Sequence, residues 1–402
     1  MAPETQAPER VAAPTDASTI GAGFHGSGPE HDPHDPHEKV RGLDWLLIGD
    51  NGLRAGWSIA IFVILFRLFS MTLGVIAVGI YPPVARFDFS PAAALVSESV
   101  PFVAMLLAAL LVGLFEHRRI VEYNLAGPRR GWNFLSGMAV GFLALSARVG
   151  ALALGGWLHF GHVALSGAAV IRYGVLWGCA FLLVGGVEEG IFRCFLQFTF
   201  ARSINFWWAL AIVGVACLDL LLRSRGYMGI VTFIWMEPLS AVTGSGVWGV
   251  YAVALLGLAP CLWLYLAKAE GAGFWQAVWV TSTLFGFVHT GNNGENWIGI
   301  FAAAAIGFVF CVSIWVTGSA WWAIGCHVAW DWAETYFYGT ADSGLVSKGH
   351  FLTSSPVGNT LWSGGSDGPE GSLLVLGVIL LLLMGLLAIY GRKRVTALTA
   401  PF

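Results

Sequence analysis

Seven ionisable residues stand in three spaced groups inside otherwise apolar sequence. The first is Glu188, Glu189 and Arg193 in GGVEEGIFRCFLQF, the second is His289 four residues after Phe285, and the third is His327, Asp331 and Glu334 in GCHVAWDWAE. An ionisable side chain at the centre of a bilayer costs at least ~2.5–3.5 kcal/mol on insertion scales, so each calls for a partner or a purpose. Neighbouring residues on a helix point ~100° apart, so Glu188 and Glu189 cannot face the same spot. Arg193 follows Glu189 at i,i+4, the favourable order for a helical ion pair. That assigns Glu189 to a supporting pair with Arg193 and leaves Glu188 on a neighbouring face, available as a general base. Phe285 shares a helix face with His289 and can shelter one side of its imidazole. His327 and Asp331, again at i,i+4, can bond each other or converge on a third object.

Glu188, His289, His327 and Asp331 come from three apolar helices, and each is costly unless it meets the others. Two chemistries fit the set. Glu188 and His289 can polarise a water that attacks an amide carbonyl while His327 and Asp331 stabilise the oxyanion. Alternatively, some or all of Glu188, His289, His327 and Asp331 ligate Zn2+, which generates the hydroxide. The isolated charges Arg67, Glu98, Arg148 and Asp219 are expected to pair across helices or to snorkel. Cys179, Cys194, Cys217, Cys261, Cys311 and Cys326 have no CxxC spacing and read as small core residues.

With these motifs in hand, the chain resembles the CPBP intramembrane proteases, a family that includes type II CAAX prenyl endopeptidases and bacteriocin-processing or self-immunity proteins. The family pattern is EExxxR, then FxxxH, then a later His followed four residues on by Asn or a similar polar residue. Here these are Glu188-Glu189-xxx-Arg193, Phe285-xxx-His289 and His327-xxx-Asp331, in that order. The resemblance covers about 173–338. It implies an all-α membrane fold, a catalytic centre at Glu188, His289, His327 and position 331, and hydrolysis of a peptide bond in a prenylated or small secreted substrate. One departure stands out: Asp331 occupies the Asn position, and an ionised carboxylate cannot donate to an oxyanion. Asp331 is then protonated, or orients His327, or ligates a metal, with zinc and metal-independent catalysis both open.

The elements that must carry these residues are transmembrane helices. The 402 residues are 56% hydrophobic and only 11% charged, against the ~25% charge of soluble domains. A net charge of −3 provides no basic field for nucleic acid, so the expected partners are the lipid bilayer and a protein or peptide substrate. About ten apolar segments approach the ~20-residue length of a membrane span: 57–80, 92–115, 134–158, 173–200, 206–222, 247–267, 274–289, 298–317, 320–338 and 372–390. Residues 1–44 read as a disordered tail and 45–395 as a transmembrane helical domain. The tail spells GxGxxG at Gly21, Gly23 and Gly26 without the strand and helix that motif needs, and its His31, His34 and His37 read as solvated. Residues 223–246, interrupted by Glu237-Pro238, suit a re-entrant or interfacial segment.

Basic residues near span ends (Arg41, Arg54, Arg118, Arg119, Arg129, Arg130, and Arg392 to Arg394) favour an even count with both termini cytoplasmic, in a plasma (inner) membrane. Two other function classes use such residues. A catalytically silent scaffold or peptide-immunity factor would keep the fold and not need Glu188, and an ion-coupled transporter would use the buried charges for proton movement. The Gly- and Ser-rich stretch 339–371 reads as a connector, long enough to cover a site entrance.

Overall fold

In the computed structural model the described residues are 47–49, 52–86, 89–225, 245–292 and 294–391. The tail with its glycine and histidine motifs, most of the Glu237-Pro238 segment and the basic run after Gly391 lie outside them. The unit described here begins at Leu47.

Long apolar runs with few backbone-competing residues fold into helices, since only helices satisfy their own N–H and C=O groups in hydrocarbon. In chain order these are α1 Ala55–Ile80, α2 Pro91–Phe115, α3 Arg130–Leu154, α4 Ala168–Ala201, α5 Phe206–Ser224 and α6 Ser245–Leu266. They continue as α7 Ala272–Val288, α8 Trp297–Thr317, α9 Trp321–Asp331 and α10 Leu374–Leu386. Among the described residues, 8 helices are long and apolar enough to cross a bilayer, which makes this an all-α, polytopic membrane protein. Helices α7 and α9 are the shorter pair, with 17 and 11 residues. Their outer neighbours leave large apolar side chains uncovered, among them Val75, Leu154 and Trp248, as lipid-facing helices do.

Polar punctuation sets the ends. Asn205 Oδ1 accepts from the backbone N–H groups of Trp207 and Trp208, and Asn296 Oδ1 accepts from Ile298 and Gly299, so each caps the helix that follows. Gly318, at φ 81°, ends α8 in the left-handed conformation that glycine adopts without a Cβ penalty.

Two helices depart from regular α geometry at informative places. α4 opens into a π-helical turn over Gly190–Leu196, directly after Glu188 and Glu189, and α9 passes into another over Trp332–Tyr338, directly after Asp331. Such widened turns are concentrated at functional sites because they re-aim side chains at the cost of regular hydrogen bonding. The second is tied to the start of α4, where Trp332 Nε1 donates to Gly174 O at 2.8 Å and Tyr336 donates its hydroxyl to Val170 O at 2.5 Å.

The helix that carries His327 is held by close backbone approach. A Cβ on Gly137 would stand 2.2 Å from Trp322 O, and one on Gly141 would stand 2.2 Å from Cys326 O. Across the same face a Cβ on Gly325 would stand 2.1 Å from Phe134 O. Small residues on both partners let α3 and α9 touch along their backbones, which gives association in lipid without a hydrophobic driving force. Gly185 does the same between α4 and α9, its missing Cβ falling 2.8 Å from Val328 Cγ2.

Buried charges find partners across this framework. Arg148 of α3 meets Glu334 at 2.8 Å with both side chains fully buried, and its guanidinium stacks on Trp330 at 4.5 Å. Arg223 and Asp219 pair at 2.9 Å along α5, so Arg223 sits in the last turn of the helix and is buried there. Residues 339–371 do more than connect: Leu352–Pro356 (β2) pairs antiparallel with Leu158–Val163 (β1), folding this stretch back over the bundle.

The glycine contacts make a direct test. Gly141→Ala should lower the thermal unfolding temperature in detergent, with an overpacking penalty of ~1–3 kcal/mol. Gly150→Ala, on the same helix with nothing within 4 Å, should leave it unchanged or raise it.

Candidate active site

The helical spacing of Glu189 and Arg193 produces the pair expected from it, with Arg193 Nε 3.2 Å from Glu189 Oε2 and both side chains buried. The guanidinium lies over Phe285, its Cζ 3.9 Å from the ring centroid, and 5.4 Å from the centroid of Phe310. Desolvated cation–π contacts of this kind are worth ~2 kcal/mol. Glu189 has a second partner that the spacing did not reveal: His327 Nδ1 donates to its other oxygen, Oε1, at 2.8 Å. A carboxylate can only accept, so this bond places a proton on Nδ1 and turns Nε2 toward the opposite side.

On that side stand the other two acids. His327 Nε2 lies 3.3 Å from Asp331 Oδ2 and 3.8 Å from Glu188 Oε2. Glu188 keeps 32% side-chain exposure while Glu189 has none, which separates the two adjacent carboxylates as the helix geometry required. Phe310 stacks against the His327 ring at 5.8 Å, and Phe285 presents its edge to it at 6.3 Å.

His289 follows the last residue of α7 and begins a short 3-10 turn. Its Nδ1 donates to Phe285 O at 2.7 Å, so in the neutral ring the lone pair resides on Nε2. Phe285 does shelter the imidazole, ring centroids 4.6 Å apart. One phenyl ring thus borders Arg193, His289 and His327 together.

His289, His327 and Asp331 line one cavity of about 60 Å³. At ~10–15 Å³ per water, that is room for a few water molecules or one side-chain head group. The structure therefore gathers the second and third motif groups at one cavity and brings Glu188 to His327. Glu334 is turned away to Arg148.

The cavity has a further wall that sequence spacing did not mark. Glu295, from the loop after His289, and Glu370, from the stretch 339–371, also line it, together with Trp330, whose Nε1 donates to Glu370 Oε1 at 3.3 Å. Behind them Asp367 is 1% exposed. Burial, reinforced by Asp367 and Glu370, pushes the Glu295 carboxyl up to about 10, and burial with Glu370 pushes Asp367 up to about 8. These acids stand singly in NNGEN and SDGPEG, with no helical periodicity to signal them.

The donor set of two histidines and two carboxylates is chemically suited to zinc. The spacing is not: among the described residues no three His, Cys, Asp or Glu are gathered closely enough to hold a metal ion. As arranged, the residues do not fit a metal centre.

The fold and the buried acid–histidine set define a polytopic membrane protein with an ionisable centre inside its helix bundle. Residues 171–333 match the family described as type II CAAX prenyl endopeptidase Rce1-like. That segment is therefore similar to CAAX-type endopeptidases. The matched segment contains Glu188, Glu189, Arg193, His289, His327 and Asp331. No curated protein and no solved structure matches the chain.

The raised carboxyls fix the sign of a pH effect. Glu295 and Asp367 hold protons in the folded state that the unfolded chain loses near the ordinary value of ~4. Their contribution to stability is complete below that value and is lost as pH rises through about 8 to about 10. Thermal unfolding in detergent should therefore occur at lower temperature at pH 9 than at pH 5, and Glu295→Gln with Asp367→Asn should flatten that dependence.

Proposed function

We propose that the protein hydrolyses a peptide bond of a membrane-associated or prenylated polypeptide, with water activated by side chains of the Glu188, His289, His327 and Asp331 set. The observation that carries this reading is the single cavity bordered by His289, His327 and Asp331, with Glu188 Oε2 3.8 Å from His327 Nε2. Three of the four costly groups thus border one small volume, and the fourth reaches it through His327.

In this mechanism Glu188 is the general base, taking a proton from water while His289 Nε2 accepts from the same molecule. The water oxygen bonds to the scissile carbonyl carbon, and the resulting oxyanion accepts a hydrogen bond from His327 Nε2–H. Collapse breaks the C–N bond, and Glu188 returns its proton to the leaving amine. Of the three roles open to Asp331, this mechanism uses the second: able only to accept when ionised, it orients His327 and offsets its charge. Glu189 holds the ring from the other nitrogen, and Arg193 in turn fixes Glu189. No step is routed through zinc, because the spacing of the side chains does not suit it. The arginines at 118, 119, 129 and 130 favour a cytoplasmic position for the ends of α2 and α3 that they flank.

Purified protein in nanodiscs should cleave members of a quenched library of transmembrane and prenylated peptides. Glu188→Gln should reduce kcat by ~10²–10⁴, the ordinary contribution of a general base. Treatment with 1,10-phenanthroline should leave cleavage intact. Loss of activity on chelation would establish a metal mechanism, and an unaffected Glu188→Gln enzyme would contradict the base assignment.

A further inference from the structure

The helix bundle has two ends of different composition, and the catalytic cavity reaches one of them. Contacts between connections define the first end. Arg202 Nη2 donates to Leu53 O at 3.2 Å, joining the end of α4 to the start of α1. Trp321 Nε1 donates to Leu125 O at 3.0 Å, joining the start of α9 to the loop between α2 and α3. The missing Cβ of Gly127 falls 2.8 Å from Gly318 O, and that of Gly273 falls 2.9 Å from Ala201 O, which adds the end of α8 and the start of α7. The second end is tied together in the same way: Lys348 N donates to Phe89 O at 2.9 Å, Asn296 Nδ2 donates to Gly371 O at 3.3 Å, and β1 pairs with β2.

Basic residues sort between these ends. The first holds Arg54 before α1, then Arg118, Arg119, Arg129 and Arg130 in one loop, and Arg202 and Lys268 in the next two loops on that side. Arg392, Lys393 and Arg394 follow α10 in sequence, beyond Tyr390, whose hydroxyl lies 3.0 Å from that of Ser136 near the start of α3. At the second end Arg86, Arg172, Arg225 and Lys348 stand singly in separate segments, and Arg223 is paired to Asp219 within α5. An excess of Lys and Arg beside span ends marks the cytoplasmic side, which favours the first end.

The cavity extends toward the second end. Among its lining residues, Glu295 precedes α8, Gly299 lies in the first turn of α8, Glu370 precedes α10, and Val375 lies in the first turn of α10. His289 stands at the same end of α7. Toward the first end the cavity stops at Phe285 and Phe310, whose rings border the buried Arg193. The arginine-rich loop packs beneath, with Asn124 Nδ2 donating to Arg193 O at 2.7 Å and Tyr123 buried beside it. A polypeptide segment carries backbone N–H and C=O groups that are costly to leave unsatisfied in hydrocarbon, so it reaches the cavity from the aqueous side on which the mouth lies.

We infer that the catalytic cavity is entered from the non-cytoplasmic face of the membrane, and that its substrate is a polypeptide segment lying on that face. The word substrate rests on the endopeptidase reading; the direction of entry does not. Of the substrates proposed above, this selects membrane-associated polypeptides with an extracytoplasmic stretch. A prenylated C-terminus held on the cytoplasmic surface would have the packed loop 116–129, Arg193 and Phe285 between it and His327.

The test reads entry without turnover. Full-length protein carrying Ala303→Cys, with Ala302→Cys as a second cavity-lining position, or Arg129→Cys at the basic end, is expressed in bacterial cells. Right-side-out and inside-out membrane vesicles are treated with a membrane-impermeant methanethiosulfonate, and the wild-type protein gives the background of its native cysteines. The cavity cysteines should react at least about tenfold faster in right-side-out vesicles, and Arg129→Cys at least about tenfold faster in inside-out vesicles. Cavity cysteines that react faster in inside-out vesicles, equally in both, or in neither would overturn the inference, as would an Arg129→Cys that reacts from outside. Wild-type cleavage of a quenched peptide that does not cross membranes reports separately, and is expected in right-side-out vesicles alone until detergent opens the others. The expected labelling without cleavage, even in detergent, refutes the endopeptidase reading alone. Cleavage confined to intact inside-out vesicles refutes the direction of entry alone.

Discussion

The site depends on one buried carboxylate with two partners. Glu189 has no exposure, and an isolated ionised carboxylate there would be untenable. Arg193 at 3.2 Å supplies the countercharge through one oxygen, and His327 Nδ1 at 2.8 Å occupies the other. The pair thereby sets the orientation of the imidazole, and with it the direction in which Nε2 meets Asp331 and Glu188. Removing one member of a buried pair leaves an uncompensated charge, so the arrangement tolerates little variation.

The surrounding packing serves to keep that contact in register. Glu189 belongs to α4 and His327 to α9, so their bond holds only if the two helices cannot slide. Gly185 admits Val328 between them, and the glycines 137, 141 and 325 lock α9 against α3. The Arg148–Glu334 pair pins the same two elements further along. Phe285 links the third helix to this unit by stacking under Arg193 while bordering both histidines. The π turns after Glu189 and after Asp331 lie at the two points where regular helical spacing gives way next to the reacting groups.

Much of this is legible in the sequence, and the limit is physical. Contacts within one helix follow from a fixed 3.6-residue period, so Glu189–Arg193, Phe285–His289 and His327–Asp331 can be read from spacing alone. The spans are equally plain, because hydrocarbon demands length and apolarity. Contacts between helices leave no such trace: Glu189–His327 joins residues 138 apart and Arg148–Glu334 residues 186 apart. For the same reason Arg148 reads as an isolated charge, and Arg223 reads as the start of a re-entrant or interfacial segment until its helix is seen to extend to it. Glu295, Asp367 and Glu370 are the least visible, since loop residues carry no period. Only the fold of residues 339–371 over the bundle brings Glu370 to the cavity.

The most direct test of the central claim is the steady-state kinetics of Glu189→Gln, which keeps the size and acceptor atom of the side chain and removes its charge. The account predicts a folded protein whose KM is little changed and whose kcat falls by about a hundredfold, the signature of a positioning group felt in the transition state. Wild-type kcat in that variant would contradict it, and would mean that His327 is held by something other than the buried charge of Glu189.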